Sequence, residues 1–358
     1  MQAHTFSGLT VDLFCRICLH CGWATARTFC RISSLHRHYW TRLPTKFFLA
    51  LQPRILIIGT VTTKYDTWDR LTLWSEFRRH KQLSLPVPRP RSNPAIVFDG
   101  TRHIYILGGA NNRTDDVGQR HASGVAVDSF ELENLRWHTH PEMVTERLDS
   151  GAGYVSKEVI VMAGVNADGD VLKSIDVFEI DHSSWQTRHS LEFARFNFAL
   201  ATIGSNIFVI GGLNGIGAIV PTIEVVSEGG TMIRTLTNVP EPVAGSMATS
   251  VGYKIVLIGG QIGPMLAHSA RVQEFDTATS TWTELAVAPM EISNGLYFQT
   301  PTRIHIFGGQ QTEGVANDTD DVEAIMNYDE GKWMHRRSHW GIGFGVALWL
   351  NSSYVTID

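Results

Sequence analysis

Pairs of adjacent glycines, each at the end of a short aliphatic run, recur along this 358-residue chain. They close HIYILGG at Gly108-Gly109, NIFVIGG at Gly211-Gly212, KIVLIGG at Gly259-Gly260 and RIHIFGG at Gly308-Gly309. Two weaker copies keep one glycine, VIVMAG at Gly164 and RILIIG at Gly59. The first positions of the marks (59, 108, 163, 211, 259, 308) are 48 to 55 residues apart. A chain punctuated in this way folds as a series of similar strand-bearing units.

A second mark keeps stricter time. Trp137, Trp185, Ile233 and Trp282 stand 26 residues before Ala163, Gly211, Gly259 and Gly308. A third lies seven residues before each of these: Phe130, Phe178, Val226, Phe275 and, ahead of Trp333, Met326. Repeats near fifty residues, each with a buried-type strand before its mark, predict a β-propeller of four-stranded antiparallel blades.

The physical chemistry of the marks is consistent with that fold. The β-branched runs read as strands buried on both faces, stacked between neighbouring blades. Each glycine allows a positive φ where the strand leaves its blade. In FDTATSTW (Phe275 to Trp282), two strands meet at a polar turn supplied by Asp276 and Thr277. The Trp is expected to cover the face of the next blade, where a large ring buries much area.

Charged residues make up 18% of the chain, and helical periodicity is hard to find beyond residue 43. The reading is therefore one closed all-β domain over 43–358 behind an N-terminal extension, 1–42. Six glycine marks and six later marks (Trp74, Trp137, Trp185, Ile233, Trp282, Trp333) favour six blades. The run GIGFGVALWL, Gly341 to Leu350, then returns to the first blade. Seven blades is the alternative, with 341–357 completed by strands from 11–27.

These residues resemble the kelch repeat, and the chain is most similar to the propeller of the BTB-kelch (kelch-like) substrate adaptors over roughly 43–350. The family pattern is a double glycine, a variable loop, Tyr-Asp, a Trp some six residues on, and an Arg before the next strand. Phe275-Asp276 with Trp282, Tyr328-Asp329 near Trp333 and Tyr65-Asp66 near Trp74 carry its middle. Arg91, Arg147 and Arg195 fill the last position, and Arg336 or Arg337 is taken for another. Ile233 for Trp, and Ala244 and Ile292 for Arg, depart from it. The resemblance implies that these arginines border a shallow pocket for a short, often acidic, peptide. Bracing of a blade is their alternative role. A BTB domain is expected ahead of such a propeller, and about 42 residues precede this one.

The N-terminal segment differs in kind. It holds all four cysteines, Cys15, Cys18, Cys21 and Cys30, and five Arg against one Asp, hence +4 within a total of −5. Cys15, Cys18 and Cys21, with His20, His36 and His38, invite a zinc reading. The spacing fits no standard finger, and no metal is expected. Asp12 and Arg16 break any secretory core, and no stretch approaches a membrane span. Cysteines confined to this segment suit a reducing, cytoplasmic compartment.

Some kelch propellers are enzymes. The copper radical type needs a Tyr–Cys cross-link, for which the propeller sequence has no cysteine. Its histidines (His103, His121, His268, His305, His335, His339) show no triad or metal spacing. No catalytic residue and no cofactor are therefore expected, and a kelch-type enzyme acting on a small polar molecule is the alternative. The leading expectation is a protein-binding module, a substrate receptor or scaffold with a protein or peptide partner. By resemblance that partner is a ubiquitin-ligase substrate or a cytoskeletal protein, not nucleic acid or membrane. The candidate contacts are Arg91, Arg147, Arg195, Arg336 and Arg337, with Asn112 and Arg113 in the long loop Ala110 to Val125. The acidic segment Gln310 to Glu323 and the basic, proline-containing stretch Arg78 to Arg91 are further loops of interest.

Overall fold

The structure, a computed structural model, describes residues 54–60, 68–75, 81–110, 124–300, 302–307, 309, 322–337 and 344–350. The extension 1–42 with its cysteines, and Asn112, Arg113 and Gly308, lie outside these residues. No described helix is long and apolar enough to cross a membrane.

The described residues form six four-stranded antiparallel sheets, numbered one to six below, and a small three-stranded one of Val243–Ala244, Gln261–Ile262 and Ala267–His268. Sheet one joins Phe344–Leu350 to Arg54–Thr60, Trp68–Ser75 and Lys81–Arg91. Sheet two is Ala95–Phe98, His103–Leu107, Val127–Glu131 and Arg136–Thr139. Sheet three runs through Gly151–Val155, Glu158–Met162, Ser174–Glu179 and Ser184–Ser190. Sheet four takes Ala199–Ile203, Asn206–Ile210, Thr222–Ser227 and Met232–Asn238. Sheet five has Met247–Val251, Lys254–Ile258, Val272–Asp276 and Thr281–Glu284, and sheet six Leu296–Gln299, Arg303–Phe307, Val322–Asn327 and Lys332–Arg337. From Ala95–Phe98 round to Phe344–Leu350, the first strands of successive sheets lie against one another. The C-terminal strand thus returns to sheet one, where Ile55 faces Trp349 and Gly59 faces Gly345.

The expected turn chemistry is present. Asp276 Oδ1 accepts from the backbone N–H groups of Ala278 and Thr279 at 2.9 and 3.1 Å, closing the turn between the last two strands of sheet five. The second strands of sheets two to five are buried throughout after their first residue, as their unbroken aliphatic runs require.

The core consists of apolar seams between consecutive sheets. In one seam Phe130 and Trp137 of sheet two meet Leu71 and Val87 of sheet one. In the next, Phe178 and Trp185 of sheet three meet Tyr105 and Leu107 of sheet two. Phe275 and Trp282 of sheet five likewise meet Val225 and Val239 from sheet four. The Trp therefore covers the preceding blade, not the next one as expected. Each buried Phe side chain contributes about 1.5–3 kcal/mol by leaving water. The indole N–H groups point the same way: Trp185 donates to the Pro141 carbonyl at 2.9 Å and Trp333 to that of Ala286 at 2.8 Å.

Register corrects one repeat mark. The seven-residue spacing is a cross-strand pair: Phe130 faces Trp137, Phe178 faces Trp185, Phe275 faces Trp282 and Met326 faces Trp333. In sheet one the equivalent pair is Trp74 with Lys81. Trp74 thus occupies the Phe position of the third strand, and Lys81 the Trp position.

The first glycines at Gly108, Gly211 and Gly259 leave little room for a side chain. At Gly211 φ is +65°, and a Cβ there would lie 2.0 Å from the Val243 carbonyl oxygen. The chain of one blade passes there directly over the lead-in to the next. Sheet three has Ala163 at this place, and its φ of +57° puts an alanine in the left-handed region.

Candidate functional site

Strand direction sorts the loops. Each double glycine and each lead-in to a first strand lie at one end of the sheets. The turns 99–102, 156–157, 204–205 and 252–253 lie at the other. Loops on such a rigid scaffold are where recognition concentrates.

The arginines expected to meet a peptide stand at the double-glycine end, but below its surface. Arg91, Arg147 and Arg195 are each 0% exposed. Arg147 Nη2 donates to Asp176 Oδ2 at 2.9 Å and to Ser174 Oγ at 2.8 Å. Its Nη1 donates to the carbonyls of Ala163 and Ser174 at 2.8 and 3.1 Å. Arg195 repeats the pattern with Glu224, Thr222 and the Gly211 carbonyl. Arg91 meets Asp128 at 2.9 Å, and the half-exposed Arg89 shares the same carboxylate. Burial lowers all three guanidinium pKa values, Arg91 to about 10, against the opposing pull of Asp128, Asp176 and Glu224. Arg147 and Arg195 are each locked to their own acid, and Arg91 and Arg89 are held on one.

These residues tie two blades together. The Arg147 carbonyl accepts from the Gly109 N–H of sheet two at 2.8 Å while its side chain serves sheet three. The Arg195 carbonyl accepts from Gly164 at 2.9 Å and its side chain serves sheet four. The bracing alternative is thus what their geometry provides, and a peptide pocket rimmed by them is not, since no guanidinium reaches the surface. The same backbone bond, from Gly212 to Val243 and from Gly260 to Ile292, shows which residues replace Arg later in the chain. Val243, rather than the expected Ala244, holds the arginine place in sheet five.

The acid is lost together with the arginine. Counting two residues back from Phe130, Phe178, Val226, Phe275 and Met326 gives Asp128, Asp176, Glu224, Gln273 and Ala324. Arg faces acid three times; Val243 goes with Gln273 and Ile292 with Ala324. Pairing explains this, because a buried charge is tolerated only with its partner.

Arg336 and Arg337 are placed elsewhere. They lie on the last strand of sheet six, opposite Glu323 and Val322, and not at the lead-in to a first strand.

Two residues beyond each arginine place is a feature that no sequence mark singled out. Asn93, Asp149, Asn197, Gly245 and Asn294 all have φ between +48° and +59°. Asn, Asp and Gly tolerate this conformation best. Each stands two residues before an innermost strand, and backbone bonds join three of the four neighbouring pairs. Asp149 N donates to the Asn93 carbonyl at 3.3 Å, Gly245 to Asn197 at 2.7 Å and Asn294 to Gly245 at 2.7 Å. Three amides and one carboxylate are thus drawn together around the inner edge. Burial pushes the Asp149 carboxyl upward against a hydrogen bond from Asn93. The signal was available as Arg-x-Asn or Arg-x-Asp at 91–93, 147–149 and 195–197.

Several loops at this end also carry exposed apolar side chains. Val144, Phe193, Ile216, Met265 and Val287 are exposed, Ile216 and Met265 each to 88%. They are five of the eight exposed large hydrophobic residues among the described ones, and all five lie at the double-glycine end. Among the described residues no cluster of His, Cys, Asp and Glu is arranged to hold a metal.

Residues 243–286 match the family model of the Kelch motif. A solved structure described as "Structure of YjhT" is similar in fold, with a TM-score of 0.61 and 14% identity, over 75% of this chain and 91% of that chain. No curated protein matches. The matched motif spans the end of one lead-in and all of sheet five, so the chain carries a kelch repeat within an all-β propeller-type fold.

Proposed function

We propose that this chain is a non-enzymatic interaction module, a six-bladed kelch propeller that binds a partner protein on its double-glycine face. The observation that carries the reading is the gathering of Val144, Phe193, Ile216, Met265 and Val287 on that face. Apolar side chains exposed on several loops of one face offer area that a protein contact would remove from water. The axial ring suits hydrogen bonding more than proton transfer, since three of its four polar side chains are amides. Six blades are supported by the six sheets and by the return of Phe344–Leu350 to sheet one. The kelch-like resemblance extends the proposal to a substrate receptor or scaffold, and the lack of cysteines beyond residue 30 favours a cytoplasmic site of action.

The test is quantitative capture of partners from cell extract on the immobilised full chain. Ile216→Asp and Met265→Asp are expected to remove specific partners. Tyr253→Asp, an exposed position at the opposite end, is expected to retain them. Capture that depends on Tyr253 and ignores both loop variants would overturn the reading.

A further inference from the structure

The double-glycine face has a sign as well as an apolar character, and the sign is opposite to what buried arginines led the sequence to promise. Its described loops expose Glu142, Asp168, Asp170 and Glu192. The basic groups there are largely spent. Arg147 and Arg195 are buried against their own acids, and Arg91 shares Asp128 with the partly exposed Arg89. Arg271 is held between Glu241 and Glu284. Lys173 is exposed. Among the described residues at the inner edge, Asp149 contributes the one carboxylate, half-buried between the neighbouring lead-ins that carry Asn93 and Asn197.

We propose that the partner of this face is a basic–apolar protein segment, with Lys or Arg among apolar residues, and that one of its cationic side chains enters the axial ring at Asp149. The proposal rests on the reading of this face as the docking surface and adds the chemistry of what docks. Three physical terms act together. The apolar tips remove apolar partner area from water. The outer carboxylates steer a cation toward the face and accelerate encounter. A partly desolvated carboxylate among amide oxygens gains a charge-assisted hydrogen bond from an ammonium or guanidinium group. An acidic peptide would meet like charge at every one of these positions.

The experiment uses the full chain and fluorescent synthetic peptides, read by anisotropy at low and raised salt. One peptide alternates Lys and Arg with Leu and Phe. A second replaces the basic residues by Glu, and a third replaces the apolar ones by Ser. The basic–apolar peptide is expected to bind, with affinity falling as salt rises, and the other two to bind at least about tenfold more weakly. Asp149→Asn is expected to weaken binding by about tenfold, with unchanged thermal unfolding. Asn already occupies the equivalent places at 93, 197 and 294, so the variant suits the backbone. Asp181→Asn, at the opposite end, is expected to leave binding unchanged. Equal or tighter binding of the Glu peptide, or binding indifferent to Asp149→Asn, overturns the proposal. If Ile216→Asp abolishes partner capture but these charge tests fail, the docking face stands and its basic partner does not. If Ile216→Asp has no effect on capture, the docking reading itself falls.

Discussion

Arg147 and Asp176 meet at 2.9 Å with both side chains 0% exposed, and the Arg147 backbone carbonyl is bonded to the preceding blade. One residue therefore holds two blades, by main chain on one side and by charge on the other. Removing one member of a buried pair leaves the other charge unpaired, at about 3–5 kcal/mol. Arg147→Ala is expected to lower stability by that amount in urea unfolding. The double change Arg147→Met with Asp176→Leu is expected to recover most of the loss, because sheet six already uses Ile292 with Ala324 there. Equal stability of Arg147→Ala and the parent protein would remove the bracing role.

The repeat marks made the fold legible, because close backbone approach and seam burial leave few choices at Gly211, Phe178 or Trp185. Function was less legible, since the arginine spacing is the same whether the side chain turns outward or inward. Only the acids two residues before the Phe marks distinguish these, and they lie 29 residues from Arg147 and Arg195, on another strand. Trp74 misled for a similar reason. It lies 15 residues after Gly59, which is the distance of Phe178 from Ala163 and of Val226 from Gly211, whereas Trp185 and Ile233 lie 22 residues after theirs. The ring at Asn93, Asp149 and Asn197 was hidden because Asn and Asp before a strand read as ordinary turn residues.

Ala163 sits at φ +57° where Gly108, Gly211 and Gly259 have +61° to +65°. A non-glycine residue held there costs of order 1–3 kcal/mol. Ala163→Gly is expected to raise the unfolding midpoint by relieving this, offset in part by the greater freedom of glycine in the unfolded chain. The reverse change, Gly211→Ala, brings a Cβ to 2.0 Å from the Val243 carbonyl oxygen and is expected to lower stability by more than Ala163→Gly raises it. Parallel thermal melts compare the two.

The tryptophans divide by the fate of their N–H groups. Trp185 donates to Pro141 across a blade boundary, whereas the buried N–H of Trp137 has no hydrogen-bond partner. Trp185→Phe is expected to lose about 1 kcal/mol for the hydrogen bond beyond any packing change. Trp137→Phe removes an unsatisfied donor, so its packing loss is partly offset. Urea midpoints that fall further for Trp137→Phe than for Trp185→Phe would count against this account.

His140 makes stability depend on pH. Its Nε2 lies 2.7 Å from Ser129 Oγ, and its ring packs 5.6 Å from Tyr105 and 5.5 Å from Phe178, across the seam between sheets two and three. Burial lowers its pKa; His138 and His103 add to the effect and Asp128 opposes it. The folded chain therefore takes up this proton at lower pH than the unfolded chain does. Above the ordinary histidine range both states are neutral here, and the site imposes no penalty. As pH falls through about 6.5, the unfolded chain gains a proton that the fold refuses, and stability declines until the depressed folded pKa is reached. The slope from this one group cannot exceed about 1.4 kcal/mol per pH unit. His140→Gln does not titrate and retains a partner for Ser129. The difference between parent and variant unfolding free energies is expected to be flat above the histidine range and to shift in the variant's favour on acidification. A difference that is constant across this range would show that His140 does not titrate differently in the two states.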